Sequence, residues 1–482
     1  MYRRSVSRLL VFLSFFSFLL LFLFIAGAVE SPAQDEGEML GGSAPVASGG
    51  GAEWLRVWSG TEDDHARGVA IDEAGNTYVV GWFGDSVDFD PGPYTTELTA
   101  SGYTDAYLTK FDAAGTWQWA KSWGGPDDDS ARDVAVDSSG NIYVVGTEFR
   151  KYRPNGELVW KREIEGYVLG ECVTVDGSDN VYFAGTVGSP TDFDPGTRTA
   201  AVTPRGMSDA FVCKFTSNGE FQWVKVWGHD SEEFAINDIA SDPSGNVFVT
   251  GAFIVTAMGG AVDFDPGTSV DERDANDNFE IFVSKFASNG NFQWVRTWGG
   301  SDSPEEARAD MGFGVAADSS GAVYIVGRYY GQCDFNPGPG TTTRTANGIG
   351  SYLSKLDSSG TFVWVRAWDG ASAYDVALKS DGGIFVTGTF SEPADFDPGE
   401  EAESPRECGH GDMFLSRFSS TGEFEWVRTH CTMGLDMGRR IEVNPYGQAV
   451  IAGSVGGGEP FTEEGRQPNG YDAFVYVFND RG

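Results

Sequence analysis

Cysteine is scarce in this chain, five residues in 482, and the count is odd. So few cannot staple a fold of this size, so a buried core has to carry the stability even in a compartment that permits disulfides. Acidic residues outnumber basic ones 71 to 33, for a formal net charge of -38. That balance excludes nucleic acid and anionic membrane surfaces as partners and leaves cations, basic proteins or simple solubility in salt. Histidine occurs only at positions 65, 229, 410 and 430. HExxH, a GxSxG elbow, paired CxxC motifs and a phosphate-cradling glycine loop are missing, so no catalytic residue is assigned. Helical periodicity is not sustained anywhere beyond the N-terminus.

What the chain does have is glycine, 65 residues, and aromatics at 14% within an apolar fraction of 40%. Together these mean many turns and a large core rather than long helices. Residues 1–29 place Arg3, Arg4 and Arg8 ahead of an apolar run from Leu9 to Val29, which is how an export signal or signal anchor is built. Ala26, Gly27 and Ala28 offer a small-residue cleavage site; left uncut, the run is long enough to hold the chain in a bilayer. The expected address is therefore extracytoplasmic, secreted or at the cell surface, with membrane contact only through this segment. Residues 30–52, rich in Gly, Ser, Ala and acids, read as a flexible linker, and residues 53–482 as the folded domain.

That domain repeats itself. Aligning the turn segments EAGN (73–76), SSGN (138–141), GSDN (177–180), PSGN (243–246), SSGA (319–322), SDGG (380–383) and PYGQ (445–448) yields seven units, the second short and the fourth long. Each carries four short apolar segments, GVAID, NTYVVGWF, DAYLTKFD and TWQWAKSW in the first, bounded by Gly, Asn, Asp or Ser. These are strand signals. Four strands per unit, seven units and no helices predict an all-β fold, a seven-bladed β-propeller. The chain ends agree: the seventh unit stops at DAFVYVFNDRG without a fourth strand, and EWLRVWSG (53–60) is a fourth strand with no unit before it. Pairing them closes the ring and removes an exposed edge. The tryptophan pairs, such as Trp54 with Trp58 and Trp294 with Trp298, lie four apart on these strands and share a face, which reads as packing between blades.

The motifs VAVDSSGNIYVVGT, VDFDPG and SKFASNGNFQWVRTWGG resemble the bacterial SBBP β-propeller repeats of exported and cell-surface proteins, over essentially everything from Glu53 onward. The resemblance implies the seven-bladed fold and a surface or secreted address, and no activity. Blades two and seven depart from it by lacking DFDPG.

The connections of one face are tight Gly and Asn turns, whereas those of the other are long, uneven and acidic, which directs binding to the second face. The motif recurs there five times, as VDFDPG (87–92, 262–267), TDFDPG (191–196), CDFNPG (333–338) and ADFDPG (394–399). As a turn, its aromatic anchors the loop, an aspartate caps N–H groups, and Pro-Gly fits the centre of a type II turn. As a cation site, Asp88, Asp90, Asp192, Asp194, Asp263, Asp265, Asp334, Asn336, Asp395 and Asp397 would supply carboxylates to calcium, with help from a junction such as 127–129. No cofactor is expected beyond this calcium.

Cys408 and Cys431 flank a predicted hairpin and form a candidate disulfide; Cys172, Cys213 and Cys333 read as buried small hydrophobes. His65 and His229 sit at equivalent blade junctions and read as solvated loop residues. A quinone-dependent dehydrogenase propeller would share the tryptophan-after-glycine pattern, but the rest of that docking pattern is missing. The function expected is a non-catalytic binding or structural module, its partner a protein or polysaccharide at the acidic face. The alternatives are a calcium-dependent adhesion module and an extracytoplasmic oxidoreductase or lyase.

Overall fold

The computed structural model describes residues 53–479, except 163, 165, 195, 197, 207, 230–231, 256–260, 276–278, 301–308, 392–393, 398–410, 431, 433 and 457–469. The expected signal (1–29), the linker (30–52) and the Cys408–Cys431 disulfide lie outside the described residues. Seven four-stranded antiparallel sheets form the blades. Blade one runs Asp64–Ile71, Thr77–Asp88, Glu97–Phe111 and Trp117–Trp123. The innermost strands of the seven blades, Asp64–Ile71, Ala131–Val136, Val168–Val175, Glu232–Ser241, Met311–Ala317, Ala371–Leu378 and Met437–Val443, each lie against those of both neighbours. They ring a central channel.

Closure is as the chain ends predict. Trp54–Trp58 pairs antiparallel with Tyr471–Phe478, Trp58 opposite Ala473, and completes the blade begun by Met437–Val443 and Ala449–Gly456. With this pairing all seven described blades are four-stranded and none is left with an unpaired third strand.

Middle strands are buried on both faces because blades press on them from each side. Ile142–Gly146, Val181–Val187 and Asp209–Phe215 are buried at every position. This accounts for the unbroken apolar runs in place of the alternation that a one-sided sheet would show. Each apolar cluster draws on two adjacent blades; one joins Trp54, Trp58 and Val475 of the last blade to Phe83, Phe89, Tyr107 and Phe111 of the first.

The outermost strands supply the wedges. The second tryptophan of each pair packs on the next blade, Trp58 on Phe111 (5.7 Å between ring centroids), Trp227 on Phe286 (5.2 Å) and Trp368 on Phe418 (5.7 Å). The first lies flat on a turn of the next blade. A Cβ added to Gly115, at φ +76°, would stand 2.5 Å from the Trp54 ring. Arg56, stacked 5.7 Å from the Trp54 centroid, donates from Nε to the Gly115 carbonyl at 2.8 Å. The same bond recurs from Arg296 to Gly360 (2.8 Å) and from Arg366 to Gly422 (2.6 Å). Glycine is demanded here twice over, by the left-handed backbone and by the ring on top of it.

The clamp makes Gly115→Ala costly, about 1–3 kcal/mol from the backbone alone before Trp54 is displaced. Urea unfolding of the variant should show a loss of at least that size, and an unchanged midpoint would contradict the stacked arrangement.

Candidate functional site: outer turns and central channel

In blades one, three, four and five the DFDPG segments end hairpin extensions of the second and third strands; in blade six much of the chain around the motif lies outside the described residues. In blade one Asp88 pairs with Glu97, and in blades three and four the extension is a separate two-stranded ribbon. The aromatics of the motif, Phe89, Phe193, Phe264, Phe335 and Phe396, are fully buried. Each packs on rings of its own blade, such as Phe89 on Tyr107 (5.0 Å) and Phe335 on Tyr329 (5.1 Å).

The acids serve the turn. Asp88 Oδ1 accepts from the Asp90 N–H (3.2 Å) and the Thr96 N–H (2.8 Å), and Asp90 Oδ1 from the Gly92 N–H (2.8 Å). Asp192 and Asp194, Asp263 and Asp265, and Asp334 and Asn336 repeat all three bonds; for Asp395 the bond from the Asp397 N–H is described, at 3.2 Å.

The turn is not type II, because Gly92 is not among the positive-φ glycines. Aspartate and Pro-Gly instead form an Asx turn. Glycine is required there because a Cβ would stand 2.9 Å from Asp90 Oδ1. Asp265, Pro266 and Gly267 line an open groove of about 350 Å³ with Lys225 and Gly290 to Gln293, placing this copy of the motif beside the outer strands. Among the described residues no three His, Cys, Asp or Glu side chains are grouped so as to hold a metal ion.

His65 is a correction to the solvated-loop reading. It lies inside the innermost strand of blade one, is 7% exposed, bonds Ser454 Oγ through Nδ1 at 2.7 Å and stacks on Trp82 and Tyr471. Cys172, Cys213 and Cys333 are buried, as expected.

The channel holds what sequence reading missed. Every innermost strand carries one β-bulge, at the same place: the ladder steps from Ala66 to Gly68, Ala131 to Asp133, Gly170 to Cys172, Ile236 to Asp238, Gly312 to Gly314, Ala373 to Asp375 and Gly438 to Arg440. The unpaired residue is turned out of the ladder and toward the lumen. Around the ring these residues are Arg67, Arg132, Glu171, Asn237, Phe313, Tyr374 and Arg439. The frame repeats and this position does not.

The residue after the bulge ties the strands together. Asp133 accepts from the Val173 N–H (2.9 Å), Asp238 from Val315 (2.8 Å) and Asp375 from Ile441 (2.8 Å), each in the following blade. Arg440 of blade seven reaches across the lumen to blade four, 3.0 Å from Asp238 Oδ1, and donates to the Asn237 carbonyl at 2.9 Å. It also stands 3.8 Å from Asp375. Three carboxyls share one guanidinium, which holds Arg440 charged. Burial pushes Asp133 up to about 6 against the pull of Arg440, and raises Asp238 and Asp375 as well. The signal for this layer was a charged or polar residue in mid-strand, as in SARDVAVD and MGRRIEVN.

Residues 118–147 match a family model described as Beta-propeller repeat, SBBP. The chain is thus a seven-bladed propeller that carries this repeat, as its strand motifs suggest. An uncharacterized WD repeat-containing protein of Acanthamoeba polyphaga mimivirus is 22% identical over 481 residues, 80% of this chain and 35% of that protein. The regulatory protein FlaEY of Caulobacter vibrioides is 26% identical over 127 residues, 25% of this chain and 13% of that one. The chain spans about a third or less of the length of these curated relatives. Among solved structures, the WD40 domain of Neurospora crassa Pan2 aligns over 88% of this chain and 95% of that one at 9% identity, TM-score 0.45. A streptogramin B lyase aligns over 88% and 98% at 10% identity, TM-score 0.44.

Asp64, pushed up to about 8 by burial, and Asp436 and Asp472, each to about 7, join the channel carboxyls. All hold their protons more tightly folded than unfolded, so folding takes up protons and stability falls as pH rises from about 4 to 8. The melting temperature should be higher at about pH 5.5 than at pH 8, with a shallower slope in Asp133→Asn. A flat profile, or the reverse, would contradict the burial of these groups.

Proposed function

We propose that the chain is exported by residues 1–29 and works as a rigid, non-catalytic binding module, secreted or at the cell surface, with residues 30–52 as its tether. One observation carries this reading: a frame that repeats bond for bond presents five residue types at one bulge position of its seven blades. Invariant scaffolding around a variable surface is the arrangement of binding folds. The partner class is a protein or polysaccharide carrying positive charge or hydroxyls toward the acidic loops.

An enzyme is the second reading, favoured by the polar channel. Against it, His65, which bonds the Ser454 hydroxyl, is a poor base. Burial, with Arg439 and Arg67 nearby, pushes His65 down to about 2, far from the range useful for proton abstraction at neutral pH.

The calcium-dependent adhesion alternative rests on the DFDPG acids, and their N–H bonds supply a sufficient reason for them. On the turn reading Asp90→Asn, which keeps the accepting oxygen, melts with the parent, and Asp90→Ala loses about 1 kcal/mol. Millimolar calcium then moves the melting temperature no more than magnesium does. A calcium-specific rise of several degrees that Asp90→Asn reduces would replace this reading with the adhesion module. Export is checked by protease treatment of intact producing cells: digestion of the tagged chain is expected, and full protection until lysis would overturn the surface address.

A further inference from the structure

The channel is cationic on one side inside a strongly acidic protein. Arg439, Arg67 and Arg132 come from blades seven, one and two, three neighbours in the ring, at the same bulge position. Only one carboxylate of that layer answers them, Glu171, which pairs with Arg132 at 2.7 Å. The hub carboxyls are committed elsewhere, to Arg440 and to backbone N–H groups of the next blade.

Among the described residues, no carboxylate comes within ion-pair distance of Arg67 or Arg439, and Arg67 makes no hydrogen bond. Arg439 donates from Nη2 to the Met437 sulfur at 3.4 Å, while its Nε, like that of Arg132, is buried without a partner. Burial and the like charges of Arg439 and Arg132 weaken Arg67's hold on its proton, against a smaller opposing pull from Glu171. A guanidinium stays charged at any physiological pH. Arg132 has Glu171 as its anion, whereas Arg67 and Arg439, both half-buried, have none among the described residues, a cost that a bound anion would offset. The fork of N–H donors that each presents matches the oxygens of a phosphate, sulfate or carboxylate.

On the far arc, Phe313 of blade five and Tyr374 of blade six pack edge to face at 5.4 Å. They give the lumen an apolar wall, with Asn237 next to them held by its bond to the Gly312 carbonyl at 2.7 Å. We propose that the lumen beside the Arg440 hub is a binding site for an oxyanion, held by Arg67, Arg132 and Arg439, on a small ligand whose body lies against Phe313 and Tyr374. This site is independent of any partner at the acidic loops, and the acidic exterior selects against polyanions while leaving a small anion free to enter.

The test is thermal shift and calorimetric titration of the purified chain with sodium phosphate, sodium sulfate and sodium glucuronate, each at sodium and ionic strength matched by chloride. A rise with at least one of the three is expected. The pattern names the source: phosphate and sulfate together mark a tetrahedral anion, and glucuronate alone a sugar carboxylate. Arg67→Gln and Arg439→Gln should each weaken binding about tenfold or more, Arg67→Lys less, and the exposed Arg198→Gln not at all. Without added anion, Arg67→Gln should melt at or above the parent, since it removes an uncompensated charge. No anion-specific rise in the parent, or a rise that survives in both Arg67→Gln and Arg439→Gln, would overturn the site. Should one variant fail to fold, the other decides.

Discussion

Six blades of this ring each press a tryptophan onto a turn glycine of the next, and the architecture depends on that contact. Trp54 lies over Gly115 while Arg56 bonds the Gly115 carbonyl, so one strand end supplies apolar cover, a stacked cation and a directed hydrogen bond at once. The contact works only if another blade follows, and the last blade must therefore find the first. The N-terminal strand meets this requirement by lending Trp54 and Trp58 to the seventh sheet. A chain with so few cysteines can hold a ring of this size because closure leaves no end blade with an open face.

Closure also brings seven strand edges around a lumen that no local interaction would create. Seven coincident bulges release one residue per blade from the ladder. Selection can change that residue without disturbing the pairs on either side, because its neighbours carry the backbone bonds. The lumen thus separates into a structural layer, where Arg440 and three aspartates tie blades together, and a layer of Arg, Glu, Asn, Phe and Tyr whose order follows no repeat. A protein of formal charge -38 that gathers three half-buried arginines in its channel has concentrated its cationic chemistry away from its acidic surface.

Most of the frame was legible in the sequence because it repeats. The Gly and Asn turns, the tryptophan pairs and the orphan EWLRVW strand all carried enough period to fix seven blades and their closure. The anchoring role of Phe89 and its equivalents was legible from alternation. The turn type was not: Pro-Gly suggested a left-handed glycine, and only the structure shows that Gly92 is needed for the close approach of Asp90 Oδ1. The channel escaped for a deeper reason. Arg67, Glu171 and Tyr374 share no residue type, so an alignment that looks for likeness discards them, and a bulge leaves no mark in a period-two pattern. His65 was misplaced by the same omission, being assigned to a junction when the innermost strand begins one residue earlier, at Asp64.

The central claim is that all seven innermost strands meet around one lumen, and Arg440 with Asp238 tests it most directly, being 202 positions apart in sequence and 3.0 Å apart in space. A double-mutant cycle of Arg440→Met and Asp238→Asn, read by urea unfolding, measures their coupling free of each residue's other contacts. The account predicts a coupling of about 1–3 kcal/mol, since blade seven touches blade four only across a closed channel. A coupling indistinguishable from zero, with both single variants folded, would mean that the two strands do not face each other and that the ring is not built as described.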